Sequence, residues 1–471
     1  MPYPAATKYL ESFINYEKIP AWPYKESLKL ERIKEFLGLI GNPQDYLKCI
    51  HIAGTKGKGS TCAFIAYILE KAGYKVGLYT SPHLSDFRER IRIFTPKPPA
   101  LPAGSRLFGD FEGMISKSEL SDLVDKLKPA VEEYNKNSRY GPLSFFEVYT
   151  SLAFVYFKDN KVDFVVLETG LGGRLDATNV INSLVCAITS LSYEHTQKLG
   201  NTLREIAAEK AGIIKRHQDA GTPGHRPIVI SAPQEPEAMA VIQERCRGTG
   251  AKLYKVGKDI TYHQDTWTPR YKVNNSFMVT GVFGRYNNLK IKLIGEHQLV
   301  NATVAVGVIE ALRAHNIKVG VDEIRKGLYN TVWPGRCEIV SRRPYIVLDG
   351  AQNIASARVL KKTIKSNFRY NKLILILGVS KDKDIKGICS ELYGLSDIVI
   401  LTKANNLRAT EPQVLAGSFK NKESYITNGV RQARNKSIKL VKKEDLILVC
   451  GSLFVVGEFR DNFKQKRRRH G

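Results

Sequence analysis

Residues 49–73 read CIHIAGTKGKGSTCAFIAYILEKAG, which predicts a strand, a loop of Gly, Thr, Lys and Ser, and a helix that ends near Gly73. The backbone N–H groups and the positive end of such a helix converge on a phosphate. Lys58 lies one residue earlier than the G-x-x-x-x-G-K-[ST] spacing requires, because Gly59 separates it from Ser60. The segment therefore predicts a phosphate site of unusual form, and a glycine turn with solvated lysines is the alternative.

Each residue type in this loop has a chemical reason to be there. Glycine lets the backbone approach a phosphate without a Cβ. Lys58 would reach the β- and γ-phosphates of a nucleotide, and the Ser60 hydroxyl would bind Mg²⁺. The predicted ATP loop comprises Gly54, Thr55, Lys56, Gly57, Lys58, Gly59 and Ser60.

The composition indicates a globular cytoplasmic protein. A length of 471 residues predicts two or three domains. No uncharged apolar run approaches the roughly 20 residues of a membrane helix, and the N-terminus lacks the pattern of a signal peptide. Seven cysteines without a C-x-x-C pair argue against a disulfide framework or a zinc ribbon. Cys62, Cys186, Cys389 and Cys450 have apolar neighbours and are expected to be buried.

The net charge of +26 raises the question of nucleic-acid binding. The positive residues are scattered, and only the tail 464–471 contains a dense cluster, KQKRRRH. Terminal charge runs are usually solvated. The sequence shows no zinc finger or RRM signature, so we expect neither a nucleic-acid partner nor a membrane partner. An anionic small substrate is the simpler explanation of the charge.

Short apolar runs alternate with helix-length segments along the chain, which indicates an α/β fold. Continuous apolar runs are typical of parallel strands buried on both faces. Residues 259–295 alternate instead, as in NLKIKLIG, which predicts a small antiparallel element. We predict a P-loop-type ATPase domain over 1–296, with a mainly parallel sheet, and a smaller Rossmann-like α/β domain over 297–471. The Pro- and Gly-rich residues 95–113 predict a surface excursion.

Two later segments carry candidate metal and catalytic residues. FVVLETGLGGRLDATN places Glu168 at the end of an apolar run, where α/β nucleotide enzymes hold a metal, although many strands end in an acid. Glu194 and His195 follow another apolar run, and a lone histidine there is more often structural. Thr202 and Glu205 form a capping box. Lys210 in the last turn would by itself be a favourable helix-end charge.

Taken together, the motifs resemble a known family. HIAGTKGKGS, SPHLSDFRERIRI, LETGLGGRLDATN, EHTQKLGNTLREIAAEKAGI, GEHQLVNATVA, WPGRCE and LDGAQN occur in this order. They resemble folylpolyglutamate synthase, including its bacterial dihydrofolate synthase version, within the Mur ligase superfamily. The resemblance spans about residues 7–460. The Mur-type loop G-T-x-G-K-x-S/T accounts for the early Lys58.

The resemblance implies a role for each matching position. Lys58 would contact the γ-phosphate, and Ser60 and Glu168 would bind one Mg²⁺. Glu168 and His195 would bind a second Mg²⁺, helped by a carbamylated Lys210; Lys58, His195 and Lys210 are thus the catalytic candidates. The nucleotide would also contact Asn301, Arg336 and Asp349, which the resemblance assigns to the second domain. Substrate contacts are expected from Ser81, Pro82, His83, Asp176 and Ala177.

Some residues depart from the family pattern or have a weaker assignment. Glu194 stands where the family usually has Asp, and DGAQNI places Gln352 and Ile354 where the family has His and Pro. A glutamine cannot carry a proton, so an acid/base role is not expected there. Phe145 and Phe146 could lie near substrate, but a buried helix start is the favoured interpretation.

The implied reaction is amide formation through an acyl phosphate. ATP would phosphorylate a carboxylate of dihydropteroate or a reduced folate, and the amine of L-glutamate would then attack. The partners are therefore small molecules, and a monomer is expected. A Mur-type ligase acting on a nucleotide-linked precursor and a P-loop ATPase or kinase without ligase activity are the alternatives. Only a ligase would require L-glutamate for turnover.

Overall fold

The computed structural model describes residues 1–19, 22–96, 111–216, 227–264 and 275–468. Most of the predicted surface excursion at 95–113 and the end of the basic tail at 464–471 lie outside these residues. Within the described ranges, no helix combines the length and apolar character needed to cross a membrane. All seven cysteines are free and buried, as the sequence predicted for four of them.

The described residues form two large sheets and one small sheet. The strands are β1 Cys49–Ala53, β2 Val76–Tyr79, β3 Ile91–Phe94, β4 Phe164–Glu168, β5 Ser183–Ile188, β6 Ile228–Ser231, β7 Lys252–Lys255, β8 Thr261–Gln264, β9 Asn275–Thr280, β10 Arg285–Ile291, β11 Glu338–Arg342, β12 Tyr345–Leu348, β13 Leu373–Leu377, β14 Ile398–Leu401, β15 Glu423–Ile426 and β16 Leu446–Cys450.

Helices cover the faces of the sheets. They are α1 Tyr3–Glu11, α2 Tyr24–Ser27, α3 Leu30–Leu39, α4 Lys58–Lys71, α5 Lys117–Asn137, α6 Phe145–Asp159, α7 Thr196–Leu199, α8 Leu203–Ala211, α9 Pro236–Thr249, α10 Glu296–Ala311, α11 Val321–Asn330, α12 Ile354–Asn367, α13 Ile385–Tyr393, α14 Pro412–Ala416, α15 Val430–Leu440 and α16 Leu453–Arg468. The last of these runs into the basic tail.

The first large sheet has the order β3-β2-β4-β1-β5-β6-β7, and all its pairs except β2–β3 are parallel. β1, β2, β4, β5 and β6 are the continuous apolar runs in the first part of the sequence, and they are parallel strands as the sequence predicted. Their side chains are buried on both faces because helices cover the sheet on each side. β1 lies between β4 and β5, so the carboxyl ends of these three strands meet at one edge.

α4 is buried almost all round, from Ser60 to Glu70. One side packs on the sheet, and α10 and α11 cover the other side within the same apolar cluster. A Cβ on Gly327 of α11 would lie 2.4 Å from the Cα of Ile68, so glycine is what allows α11 to cross α4 this closely. This packing fixes the start of α4, where the predicted phosphate loop lies.

The antiparallel element predicted from alternation is the small sheet β10-β9-β8. Leu289 and Ile291 of β10 are buried with Phe277 and Val279 of β9. These side chains extend the core of the first domain.

The second large sheet has the order β11-β12-β16-β13-β14-β15, parallel except for β11–β12. β12, β13, β14 and β16 are continuous apolar runs in the last part of the sequence. The α/β class, the mainly parallel first sheet with its antiparallel addition, and the Rossmann-like second domain are thus confirmed.

The packing of α10 and α11 favours a later start for the second domain. The prediction put the boundary near residue 296, at the start of α10. Leu299 of α10 and Leu328 of α11 nevertheless lie in the apolar core of the first sheet. On these contacts we propose a boundary between Asn330 and Gly335. Asn301 then belongs to the first domain rather than the second.

Candidate active site

After β1, the loop leads into α4, whose first backbone N–H groups are not capped by the side chain before them and are available to a ligand. α4 begins at Lys58, and Gly57 before it supplies no side-chain cap. Gly57 has φ +88°, and a Cβ there would lie 2.1 Å from Asn301 Oδ1. A Cβ on Gly54 would lie 1.9 Å from Thr189 Oγ1. Both glycines are therefore required by their surroundings, and the loop has the geometry of an anion site.

Lys58 and Glu168 face each other across this loop. The Lys58 Nζ lies 3.9 Å from Glu168 Oε1, and the Ser81 N–H donates to Glu168 Oε2 at 3.2 Å. Burial raises the pKa of Glu168, and the Lys58 charge opposes that shift. Ser60 is also buried beside the loop. An acid and a lysine in one desolvated corner can hold a phosphate together with its cation.

Lys210 reaches the same loop from α8. As predicted, it lies in the last turn of a helix that Thr202 and Glu205 begin with a capping box. Its buried Nζ donates to Gly54 O at 2.8 Å. Burial and then the Lys58 charge lower its pKa to about 7. A large fraction of this amine is therefore uncharged at neutral pH.

Glu194 and His195 follow β5 and lie between the domains. Glu194 Oε1 accepts from Lys56 Nζ at 3.1 Å and from Asn353 Nδ2 of the second domain at 2.8 Å. Burial alone would raise the pKa of Glu194, but Lys56 and the other nearby positive groups together outweigh it and lower the pKa to about 2. The His195 side chain is exposed to the cleft. The surrounding protein atoms and the charges of Lys383 and Lys210 lower the pKa of its imidazole, against the opposing effect of Glu194. This imidazole is neutral and able to bind a metal.

Arg336 and Asp349 bring the second domain to the loop. Asp349 accepts from the N–H groups of Cys337 and Ala351, each at 2.8 Å. Arg336 donates to Gly335 O at 3.1 Å. Burial raises the pKa of both Asp349 and Glu168, and the Arg336 charge opposes part of each shift. Arg336 therefore lies near both Glu168 of the first domain and Asp349 of the second domain, where a polyphosphate would approach.

Trp333 is a contact that the motifs did not single out. A Cβ on Gly59 would lie 2.9 Å from Trp333 Cζ2, so the indole covers the phosphate loop. Trp333 precedes Arg336 in WPGR, and that motif was the available signal.

An open cavity of about 200 Å³ lies between the domains next to this loop. Four of the expected substrate contacts, Ser81, Pro82, Asp176 and Ala177, line it together with His195 and Gln352. Other parts of the lining were not predicted from the sequence, and they come from the N-terminal segment, from α7 and from the second domain. Those residues include Asn15, Tyr16, Glu17, Trp22, Lys29, Lys198, Ser380, Asp382, Lys383, Arg408 and Phe454. Of these residues only Lys198 lies in a quoted motif, EHTQKLGNTLREIAAEKAGI, and it is the fold that brings the others to the cavity.

Two predicted substrate residues have other partners in the structure. Asp176 accepts four hydrogen bonds from its own loop, from the N–H groups of Gly170, Leu171 and Thr178 and from the Thr178 hydroxyl. These hydrogen bonds occupy the acceptor sites of the carboxylate. Asp176 therefore shapes the cavity wall by holding its own loop in place. His83 Nδ1 accepts from Arg90 Nε at 3.0 Å and lies behind the cavity wall.

The two phenylalanines at the start of α6 differ. Phe145 is fully buried, as the favoured interpretation predicted. Phe146 lines the cavity and packs where a Cβ on Gly170 would be, 2.6 Å from its ring. Phe146 is in the first turn of α6 and packs partly against the core, so the predicted helix start holds, and its ring is also part of the cavity lining.

The side chains around the loop suit a Mg²⁺ ion that takes most of its ligands from a bound substrate and from water. Glu168 Oε1 accepts no hydrogen bond in the described part of the chain, and Ser60 and His195 offer an oxygen and a nitrogen nearby. Across the described ranges, no group of three or more His, Cys, Asp or Glu side chains forms a metal cage. Mg²⁺ suits this arrangement, since it usually takes few protein ligands and completes its shell with phosphate oxygens and water.

Comparisons with known proteins find relatives along almost the whole chain. Residues 144–309 match the Mur ligase middle domain, and residues 335–453 match the Mur ligase glutamate ligase domain. A dihydrofolate synthase/folylpolyglutamate synthase of Bacillus subtilis is 33% identical over 441 residues, covering 92% of this chain and 95% of the relative.

Two solved structures extend the comparison. A Mycobacterium tuberculosis folylpolyglutamate synthase complexed with ADP and AMPPCP superposes with a TM-score of 0.82 at 30% identity, covering 93% of this chain and 96% of that one. An Escherichia coli FolC in complex with DHPP and ADP gives a TM-score of 0.81 at 28% identity and covers 99% of both chains. The chain belongs to the folylpolyglutamate synthase and dihydrofolate synthase family of Mur ligases.

Proposed function

We propose that the chain is an ATP-dependent ligase that joins L-glutamate to dihydropteroate, to reduced folylpoly-γ-glutamates, or to both. One observation carries this proposal. The phosphate loop with Lys58 and Glu168 is next to an open interdomain cavity that residues of both domains line. A site that only hydrolysed ATP would not need this adjoining cavity.

The reaction needs activation because a carboxylate does not react with amines. The γ-phosphoryl group passes to the acceptor carboxylate and forms an acyl phosphate and ADP. The amino group of L-glutamate attacks the acyl carbon, and phosphate leaves as the amide forms. Lys58 and the N–H groups at the start of α4 stabilise the negative charge of the transferring phosphoryl group. Arg336 adds a second cation from the other domain.

Closure of the two domains protects the acyl phosphate from water. Glu194 already joins Lys56 of the loop to Asn353 of the second domain. Both halves of the cleft come from this one chain, which supports action as a monomer.

Ser60, Glu168 and His195 would hold Mg²⁺, in agreement with their position around the loop. Bound Mg²⁺ supplies charge neutralisation at the phosphate oxygens. Lys210 would join this set as a carbamate. Its neutral amine forms an N–C bond to CO₂ and releases one proton, which gives an anionic oxygen ligand. The pKa of about 7 supports this step, because an ammonium group has no lone pair to react.

The decisive test is ADP release by the full chain with ATP, Mg²⁺ and each acceptor in turn, with and without L-glutamate. We expect turnover to require both L-glutamate and a pterin acceptor. Activity with dihydropteroate establishes the synthase reaction, and activity with tetrahydrofolate forms alone establishes polyglutamylation only. Release of ADP without L-glutamate would instead indicate a kinase or ATPase. Turnover only with a nucleotide-linked precursor would indicate a different Mur-type ligase.

A further inference from the structure

The charged residues that line the cavity are unevenly paired. Glu17 pairs with Arg90, and Glu147 pairs with Arg32 at 2.9 Å, and neither arginine lines the cavity. Asp176 is satisfied by its own loop. Of the lining carboxylates, only Asp382 pairs with lining cations.

More cations line the cavity than the single carboxylate, Asp382, that is left to pair with them. Arg408 and Lys383 share Asp382, at 2.6 Å and 3.4 Å. Lys29 and Lys198 also line the cavity, and neither has a carboxylate within 4.0 Å in the described ranges. The cavity therefore carries positive charge that the protein does not neutralise, and an anionic ligand would be stabilised there.

Lys198 and Lys29 line the same cavity as a group of apolar side chains. The Lys198 Nζ lies 4.4 Å from the centroid of the Trp22 ring. Trp22, Leu28, Leu171 and Leu175 line the cavity and pack in one cluster with Tyr24, and Lys29 follows Leu28 directly. The cavity thus offers an aliphatic and aromatic wall together with two ammonium groups.

We propose that Lys29 and Lys198 bind the carboxylates of a γ-glutamyl chain on the acceptor, an inference that rests on the proposed function. Each γ-glutamyl unit adds one carboxylate and a short run of methylene groups. The methylenes suit the wall of Trp22, Leu28, Leu171 and Leu175, and the carboxylates suit the lysines. Dihydropteroate carries a single carboxylate, the one that reacts, so it has no group left for these lysines. Lys29 and Lys198 are therefore specificity-determining residues that favour acceptors already bearing glutamates.

The test compares Lys198→Met, Lys29→Met and the double variant with the wild type. Methionine keeps the length of the side chain and removes its charge. The measurement is kcat and KM for dihydropteroate and for tetrahydrofolate with one, two and three γ-linked glutamates. Lys25→Met is the matched control, since Lys25 is an exposed lysine on α2 outside the cavity. Lys198→Arg tests rescue by charge.

We expect KM for the triglutamate to rise about threefold to tenfold in each single variant, the range for a partly exposed ion pair. The rise should grow with the number of glutamates and exceed any change for dihydropteroate at least threefold, while kcat changes little. Lys198→Arg should restore most of the affinity. Equal KM changes for all acceptors would overturn the proposal, as would unchanged KM for every γ-glutamyl acceptor.

A binding measurement separates this proposal from the proposed function. p-Aminobenzoyl-tri-γ-glutamate lacks the pterin ring, and its binding to the wild type and to Lys198→Met can be followed by calorimetry without turnover. Weaker binding to the variant supports the lysine site even if no acceptor is turned over by the wild type. Equal binding overturns it even if the ligase activity is present.

Discussion

Lys58 and Glu168 show what single residues contribute at the phosphate loop. The two side chains lie 3.9 Å apart in a buried corner, where each charge is poorly screened. We expect Lys58→Ala and Glu168→Ala each to lower kcat by about a thousandfold, the upper range for loss of one group that stabilises transition-state charge in a desolvated site. Glutamate-dependent ADP release measures the effect. Lys48→Ala, an exposed lysine at the other end of β1, is the control. A near-wild-type rate in either loop variant would contradict the assignment.

Lys210 gives a prediction on CO₂ and pH. With a pKa of about 7, the amine is about one tenth neutral at pH 6 and about nine tenths neutral at pH 8. Only the neutral amine reacts with CO₂, so carbamate formation should rise over this interval. We expect activity to fall when CO₂ is removed, to return with bicarbonate, and to need more bicarbonate at pH 6.

Carbon-13 NMR of the protein in labelled bicarbonate reads the carbamate directly. We expect a carbamate signal that is absent from Lys210→Ala. If the signal persists in Lys210→Ala, or if the wild type shows none at pH 8, then Lys210 is not carbamylated.

At the scale of secondary-structure elements, the turn from β1 into α4 depends on Gly57. Its φ of +88° and its contact with Asn301 both exclude a side chain. Gly73, beyond the other end of α4, has φ +92° but open space around it. Both Gly→Ala changes cost about 1–2 kcal/mol of backbone strain. Only Gly57→Ala is also expected to lower affinity for an ATP analogue, by at least about tenfold. Calorimetric titration and thermal melting of both variants separate the two effects, and equal loss of affinity in both would contradict the prediction.

Elements were predictable from sequence where the signal was local. Continuous apolar runs identified β1 and the other central strands, and Thr202 with Glu205 marked the start of α8. The domain boundary was not predictable in this way. α10 has a helical pattern, but nothing in that pattern says which sheet it will cover, and its packing on α4 is a long-range event.

The same distinction applies to the site. Lys58, Glu168 and Lys210 belong to local motifs, and the structure brings them to one loop. Lys29 and Arg408 lie outside every motif, and they line one cavity only because the two domains meet there. That Asp176 is already satisfied by its own loop also follows from folded geometry, which residue type alone does not reveal.

At the scale of the whole molecule, the position of the domains is held by contacts across the cleft. Arg408 pairs with Asp382 and also donates to the carbonyl oxygen of Glu17 in the N-terminal segment. Asn353 donates to Glu194 at 2.8 Å while its Oδ1 caps α12 through the Ser356 N–H. The amide of Asn353 thus has two roles, one in its own helix and one between domains, and substitutions can separate them.

Asn353→Ser and Asn353→Asp both keep a side-chain oxygen that caps α12, so thermal stability should change little in either variant. Serine is too short to reach Glu194, and we expect kcat/KM to fall a few fold. Aspartate places a second carboxylate against Glu194, and like charges at this distance repel, so kcat/KM should fall by at least about tenfold. Glu194→Gln removes the repulsion, and Asn353→Asp should therefore cost much less in that background. The four rates of this double-mutant cycle give the coupling between the domains. Equal effects of Asn353→Asp with Glu194 and with Gln at that position would show that the contact does not control closure.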